Sequence, residues 1–85
     1  MKYINRIREE IMIIKTPKDI GKLIRQKRKE QHLTQVELAG LSDVGSRFLV
    51  ELEQGKATIE MGKALQVMRM LGFSLTPVSK SGAGQ

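Results

Sequence analysis

Leu33-Thr-Gln-Val-Glu-Leu-Ala-Gly-Leu-Ser-Asp-Val-Gly-Ser-Arg-Phe-Leu-Val-Glu-Leu-Glu-Gln-Gly55-Lys56 is the stretch on which the fold turns, since it spells two short helices separated by a tight turn. Thr34 stands three residues before Glu37, the spacing of a capping box. In that arrangement the Thr34 hydroxyl accepts from the Glu37 N–H, and the Glu37 carboxylate accepts from the Thr34 N–H. Apolar residues follow at Leu38, Leu41, Val44, Leu49 and Leu52, and Ala39 offers the small side chain that a close crossing of two helices needs. Gly55 closes the second helix, because glycine enters the left-handed conformation of a helix end without steric penalty.

Upstream, Thr16-Pro17-Lys18-Asp19 starts another helix, with Thr16 as N-cap, Pro17 at the first position and Asp19 in the first turn, where negative charge is favoured. This helix is expected to reach Gln31, with Ile20, Leu23 and Ile24 facing the core and Arg25, Lys27, Arg28 and Lys29 in its last turns. His32 reads as its C-terminal cap. Downstream, Thr58 is expected to cap a fourth helix with an inward stripe of Met61, Ala64, Leu65, Met68 and Leu71, stopped by Gly72. Phe73, Ser74, Leu75, Thr76, Pro77 and Val78 then alternate like a strand, with Pro77 placing it at an edge or an end. A lone strand in a helical chain lacks a ladder partner, so the expected partner is the same strand of a second copy across a two-fold axis.

At the N-terminus, Ile4, Ile7, Ile11 and Ile14 have helical spacing, while Ile11 to Ile14 equally suits a short strand. Met12 opens a sequence sufficient for a whole domain, so residues 1–11 are either an upstream extension of the reading frame or a small added element. The expected division is an N-terminal extension over 1–15, a helix-turn-helix domain with its dimerisation strand over 16–78, and a polar, Gly-rich disordered tail over 79–85. The expected fold class is all-α: a compact domain of four to five helices whose short C-terminal β-strand pairs across a dimer.

Composition narrows the function classes. Eighty-five residues make one domain with a modest core, which favours a second subunit. With no cysteine and one histidine, no disulfide, metal or other cofactor is expected. His32 has no carboxylate or cysteine pattern beside it, so no catalytic residue is assigned and the chain does not read as an enzyme. No apolar run approaches a membrane span and no secretory signal opens the chain, so the expected location is the cytoplasm, without a membrane partner. The net charge of +6 is uneven: residues 1–33 hold ten Lys or Arg against four acids, and residues 34–85 hold five against five. A basic element beside a neutral module suits a polyanion, although the basic cluster equally suits the solvated face of an amphipathic helix.

Two helices across a tight turn form the layout of a DNA reader, whose second helix lies in the major groove while the first crosses the backbone. With Leu49 and Leu52 inward, the outward residues near the start of that helix are Ser46, Arg47, Phe48, Val50 and Glu51. Arg47 is the main candidate for sequence readout, since a guanidinium can bond both O6 and N7 of guanine for roughly 1–3 kcal/mol of discrimination. Ser46 can donate to a base or phosphate, Glu51 can accept from a cytosine amino group, and Phe48 can pack on a thymine methyl. Each also suits an ordinary surface role, and Phe48 a protein contact. Gln35, at the start of the preceding helix, can hold a phosphate together with free backbone N–H groups. Lys56 and Lys29 are further phosphate candidates, or solvated charges.

The chain also resembles a family. Residues 20–75 are similar to the Xre or lambda-repressor-like helix-turn-helix domain. Its basic first helix is here Ile24-Arg25 to Arg28, followed by Leu33-Thr34-Gln35, Glu37-Leu38-Ala39 and Glu53-Gln54-Gly55. The resemblance implies an ion pair between Arg28 and Glu53. The chain departs from the pattern at Gly45, where Ser or Thr is usual, and at Phe48 and Val50, where small polar residues are usual; both bear on base preference. Within the family, Val44 to Glu53 together with Glu60 to Phe73 looks most like the antitoxins of HipB type. That likeness implies a homodimer joined through the terminal strand, an inverted-repeat operator ahead of its own operon, and a HipA-type serine/threonine kinase toxin as partner. A stand-alone, phage-like Xre repressor is the alternative within the fold, and a small protein-interaction or RNA-binding module the alternative outside it. The RNA reading is opposed by the scarcity of aromatic residues for base stacking.

Overall fold

The computed structural model describes residues 12–77 and 79, so the expectations for residues 1–11, for Val78 and for the tail from Lys80 lie outside the described residues. Among the described residues four helices follow in order: α1 (Pro17–Glu30), α2 (Gln35–Ser42), α3 (Ser46–Glu53) and α4 (Met61–Leu71). Helix α1 packs against α3 and α4, and α2 packs against the same two. Among the described residues no helix is long and apolar enough to cross a membrane.

Local chemistry sets the helix starts. Thr16 caps α1, and Asp19 completes a capping box by accepting from the N–H of Thr16 at 3.0 Å and of Lys15 at 2.8 Å. Thr34 and Glu37 form the second box, with bonds of 2.8 and 3.0 Å. The helix ends share one device. A left-handed residue, at His32, Asp43, Gly55 or Gly72, lets the next N–H fold back to a carbonyl five residues earlier: Leu33 to Arg28, Val44 to Ala39, Lys56 to Glu51 and Phe73 to Met68. Two of these positions are not glycine.

The core gathers Ile20, Ile24, Leu38, Ala39, Leu49, Leu52, Ala64, Val67, Met68 and Leu71, with Ile14, Val44, Ile59, Leu65 and Phe73 packed on its margin. Gly21 lets α1 approach α3 closely: a Cβ there would come within 2.5 Å of the Glu53 carbonyl oxygen and 2.6 Å of that of Leu52. Side-chain amides join the remaining helix ends, Gln31 donating to the Leu71 carbonyl at 2.9 Å and Gln66 to that of Ser42 at 3.0 Å.

Several expectations are corrected. Leu41 is 54% exposed, because α2 turns Leu38, Ala39 and Ser42 inward and leaves Leu41 outside that arc. Thr58 does not cap α4. The N-cap position is Glu60, which makes no side-chain cap bond, since Ile59 must first reach the core in extended chain. Met61 accordingly sits exposed at the rim, and Val67 joins the buried stripe. Met12 to Ile14 is irregular chain, neither helix nor strand. Phe73 to Pro77 also forms no strand: among the described residues no other segment is extended beside it for pairing, and Phe73 folds back onto its own core while Leu75 stays exposed.

Candidate nucleic-acid interface

The turn Asp43-Val44-Gly45 sets α3 against α2 through the burial of Leu49 and Leu52 beside Leu38 and Ala39. Those contacts fix which face of α3 is left outside. Ser46 and Arg47 are exposed in its first turn, and Val50 and Glu51 are half-buried one turn later. Gly45 is the N-cap and supplies no side-chain acceptor, so the first backbone N–H groups of α3 keep their donor capacity for another partner.

The Arg47 side chain is 92% exposed, with Nε 3.6 Å from Glu51 Oε2. Glu51 also receives Lys56 Nζ at 3.3 Å, so one carboxylate stands between two cations. An exposed pair of this kind is worth about 0–1 kcal/mol. A bidentate guanine contact is worth roughly 1–3 kcal/mol, so Arg47 can leave Glu51 for a base at little cost. Glu51 then acts more as a holder of cations than as a free acceptor.

A second cluster lies under the end of α3. Glu53 accepts from Arg28 Nε at 2.7 Å, from Arg28 Nη2 at 3.0 Å and from Gln35 Nε2 at 3.1 Å. Arg28 Nη1 donates to the Leu33 carbonyl at 2.8 Å. The Glu53 hydrogen bonds, together with its charge, raise the Arg28 pKa above its ordinary value despite burial. The pair implied by the family likeness is therefore present, and Gln35 joins it. This ties the end of α1, the start of α2 and the end of α3 into one rigid unit, leaving Gln35 a second amide hydrogen for an outside partner.

The remaining expected site residues divide. Lys29 is exposed on α1. Phe48 leaves the outward face: it is half-buried on the flank toward α4, packed on the core, with Lys63 Nζ 5.8 Å from its ring centroid. Arg47 of α3 and Lys56 beyond its end meet at Glu51, Ser46 is exposed in the first turn, and Gln35 is held separately by Glu53 at the end of the helix. Gly21 was not singled out in the sequence, although a glycine inside a helical pattern signals close backbone approach.

Residues 24–78 match the family model described as Helix-turn-helix. The chain is 60% identical over 62 residues to an uncharacterized HTH-type transcriptional regulator, y4mF, of Sinorhizobium fredii, a match that covers 73% of this chain and 82% of the relative.

Proposed function

Since the chain belongs to the helix-turn-helix family, we propose that it is a sequence-specific DNA-binding repressor that lays α3 in the major groove. The observation that carries this reading is the exposed start of α3, with Arg47 outside and an open N-cap, mounted on the Arg28–Glu53–Gln35 cluster. Arg47 reads a base. Ser46 and the free N–H groups of α3 serve a base or phosphate, and Gln35, Lys56 and Lys29 hold phosphates that set the register.

The finer proposal is a homodimer on an inverted repeat, with recognition helices about 34–36 Å apart. The segment that alternates in the sequence, Phe73 to Val78, pairs with its copy across the two-fold axis. This supplies the ladder partner that the described residues of a single chain lack and covers the exposed Leu75. The likeness of Val44 to Glu53 and Glu60 to Phe73 to HipB-type antitoxins supports a HipA-type kinase as protein partner and repression of the shared operon. The reading gives the chain no catalytic role.

The test is titration of the protein against the duplex upstream of its own gene and a scrambled duplex, at two salt concentrations, with co-purification from its native cells. A preference for the upstream duplex that survives the higher salt supports specific repression. Equal, salt-erased binding rejects it. A co-purifying kinase supports the antitoxin role, and its absence with operator binding intact leaves a stand-alone repressor.

A further inference from the structure

Four cations of α1 fall on one line. Lys18, Lys22, Arg25 and Lys29 follow at intervals of four, three and four residues, which on a helix places them within a face about 60° wide. All four are exposed. Among the described residues none of the four is ion-paired, whereas Lys27, Arg28, Arg47, Lys56 and Lys63 each meet a carboxylate. The acids of α1 form no ion pair with the stripe: Asp19 is turned to the N–H groups of Lys15 and Thr16 and feels Lys22 only as a nearby charge, and Glu30 is turned to Gln26 and Lys27.

The position of the stripe matters as much as its charge. Its edge adjoins the end of α3. A Cβ on Gly55 would come within 2.7 Å of Lys18 Cα, and Gly21, between the stripe and the core, faces the carbonyls of Leu52 and Glu53. At the other end Lys29 follows Arg28, which holds Glu53. The line therefore runs beside the last turn of α3, from the loop carrying Lys56 toward the start of α2. It spans about 16 Å at 1.5 Å per residue, a length over which duplex DNA carries roughly ten phosphate charges.

We propose that Lys18, Lys22, Arg25 and Lys29 form a continuous phosphate track that holds the DNA backbone flanking the groove occupied by α3. The proposal rests on the duplex-binding part of the reading above and extends the single α1 contact assigned there, Lys29, to a surface along the whole helix. The track has no base specificity. It supplies affinity for any duplex and leaves discrimination to α3.

The test uses the full chain with Lys18→Gln, Lys22→Gln, Arg25→Gln and Lys29→Gln, singly and together, binding the upstream duplex and the scrambled duplex over a salt series. Each single change is expected to lower the slope of log affinity against log salt by about 0.9, and the four together by about 3 to 4, on both duplexes alike. The ratio of affinities between the duplexes stays as in the wild type. A parallel variant with Lys18→Arg, Lys22→Arg and Lys29→Arg keeps the wild-type slope, which separates charge from packing. The proposal is overturned if the combined glutamine variant, with unchanged helical circular dichroism, keeps the wild-type slope, as it would if the stripe served an acidic protein. Should the combined variant not fold, the single changes decide by the same criterion. A wild type that prefers the upstream duplex while the slopes stay fixed loses the track alone. One without preference whose slopes fall loses only sequence-specific repression, and one that binds neither duplex loses both.

Discussion

Arg28 and Glu53 close on each other as a fork, Nε to Oε2 at 2.7 Å and Nη2 to Oε1 at 3.0 Å, with side chains only 10% and 3% exposed. Removing one partner leaves the other charge buried without its counterpart. Glu53→Ala is therefore expected to cost about 3–5 kcal/mol, and Arg28→Met a similar amount. Replacing both by apolar residues of similar volume is expected to recover much of the loss, because no charge then needs desolvating. Urea unfolding of the two single variants and the double variant measures this; single losses under about 1 kcal/mol would mean that the fork contributes little. The raised Arg28 pKa sets the pH sign. Its contribution is complete below the unfolded-state pKa and is lost only as pH rises through the higher folded one, so it stays constant across neutral pH.

Gly21 and Gly40 are both helical, yet their substitutions are expected to have opposite signs. Alanine at either gains roughly 0.5–1 kcal/mol of helix propensity. At Gly40 a Cβ meets nothing within 4 Å, so the gain is realised. At Gly21 the Cβ would strike the carbonyl oxygens of Leu52 and Glu53 at 2.6 and 2.5 Å, and backbone cannot yield as a flexible side chain can. Thermal melts should show Gly40→Ala above and Gly21→Ala below the wild type. Equal melting temperatures would mean that α1 can move off α3 freely.

His32 and Asp43 adopt φ of 60° and 58° at helix ends where the other two helices use glycine. A side chain in the left-handed region costs about 1–2 kcal/mol, and glycine gives back about 0.4–1 kcal/mol through the freedom of the unfolded chain. His32→Gly and Asp43→Gly are each expected to stabilise by a few tenths to about 1 kcal/mol. Chemical denaturation decides it, and a loss at either site would show that the native side chain has another structural duty.

The parts of this fold that could be read in the sequence are those decided within a few residues. Both threonine caps depend on an acid three positions on, and each helix end depends on one residue's access to the left-handed region. The phase of α2 was less legible, because eight residues make little more than two turns and Leu41 and Ser42 compete for one inward place. The start of α4 was set by Ile59 reaching the core, a contact that no local cap announces. Alternation over Phe73 to Val78 describes side chains, whereas a strand requires a ladder, and the described residues of one chain supply none. At the site, Arg47 and the Arg28–Glu53 pair lay where the pattern put them. Phe48 did not, since its flank is defined by Lys63 on α4. Arg25, Lys27, Arg28 and Lys29 stand out as neighbours in sequence, whereas the helical line through Lys18 and Lys22 emerges only when α1 is wound.

Asp19 gives an acid-side test. Hydrogen bonds from the N–H groups of Lys15 and Thr16 lower its pKa from the ordinary carboxylate value. A folded pKa below the unfolded one means that its contribution is present above the unfolded pKa and lost as pH falls through the folded one. The melting temperature of Asp19→Asn should lie below that of the wild type at neutral pH, and the gap should close in the acid range. A gap independent of pH would assign the effect to shape rather than charge.

Arg47 carries the specificity prediction. Among the described residues its side chain is held only by the 3.6 Å pair with Glu51, and it is 92% exposed, so Arg47→Ala is expected to leave stability unchanged within about 0.5 kcal/mol. In a symmetric complex the loss should appear at one base pair of each half-site, costing roughly 1–3 kcal/mol for the preferred sequence and relaxing selection there. Lys56→Gln, by contrast, should weaken all duplexes alike. Binding of both variants to a set of duplexes, each altered at one base pair, separates the roles. Uniform weakening by Arg47→Ala would turn Arg47 into a phosphate contact and move base recognition to Ser46 or to the backbone N–H groups at the open start of α3.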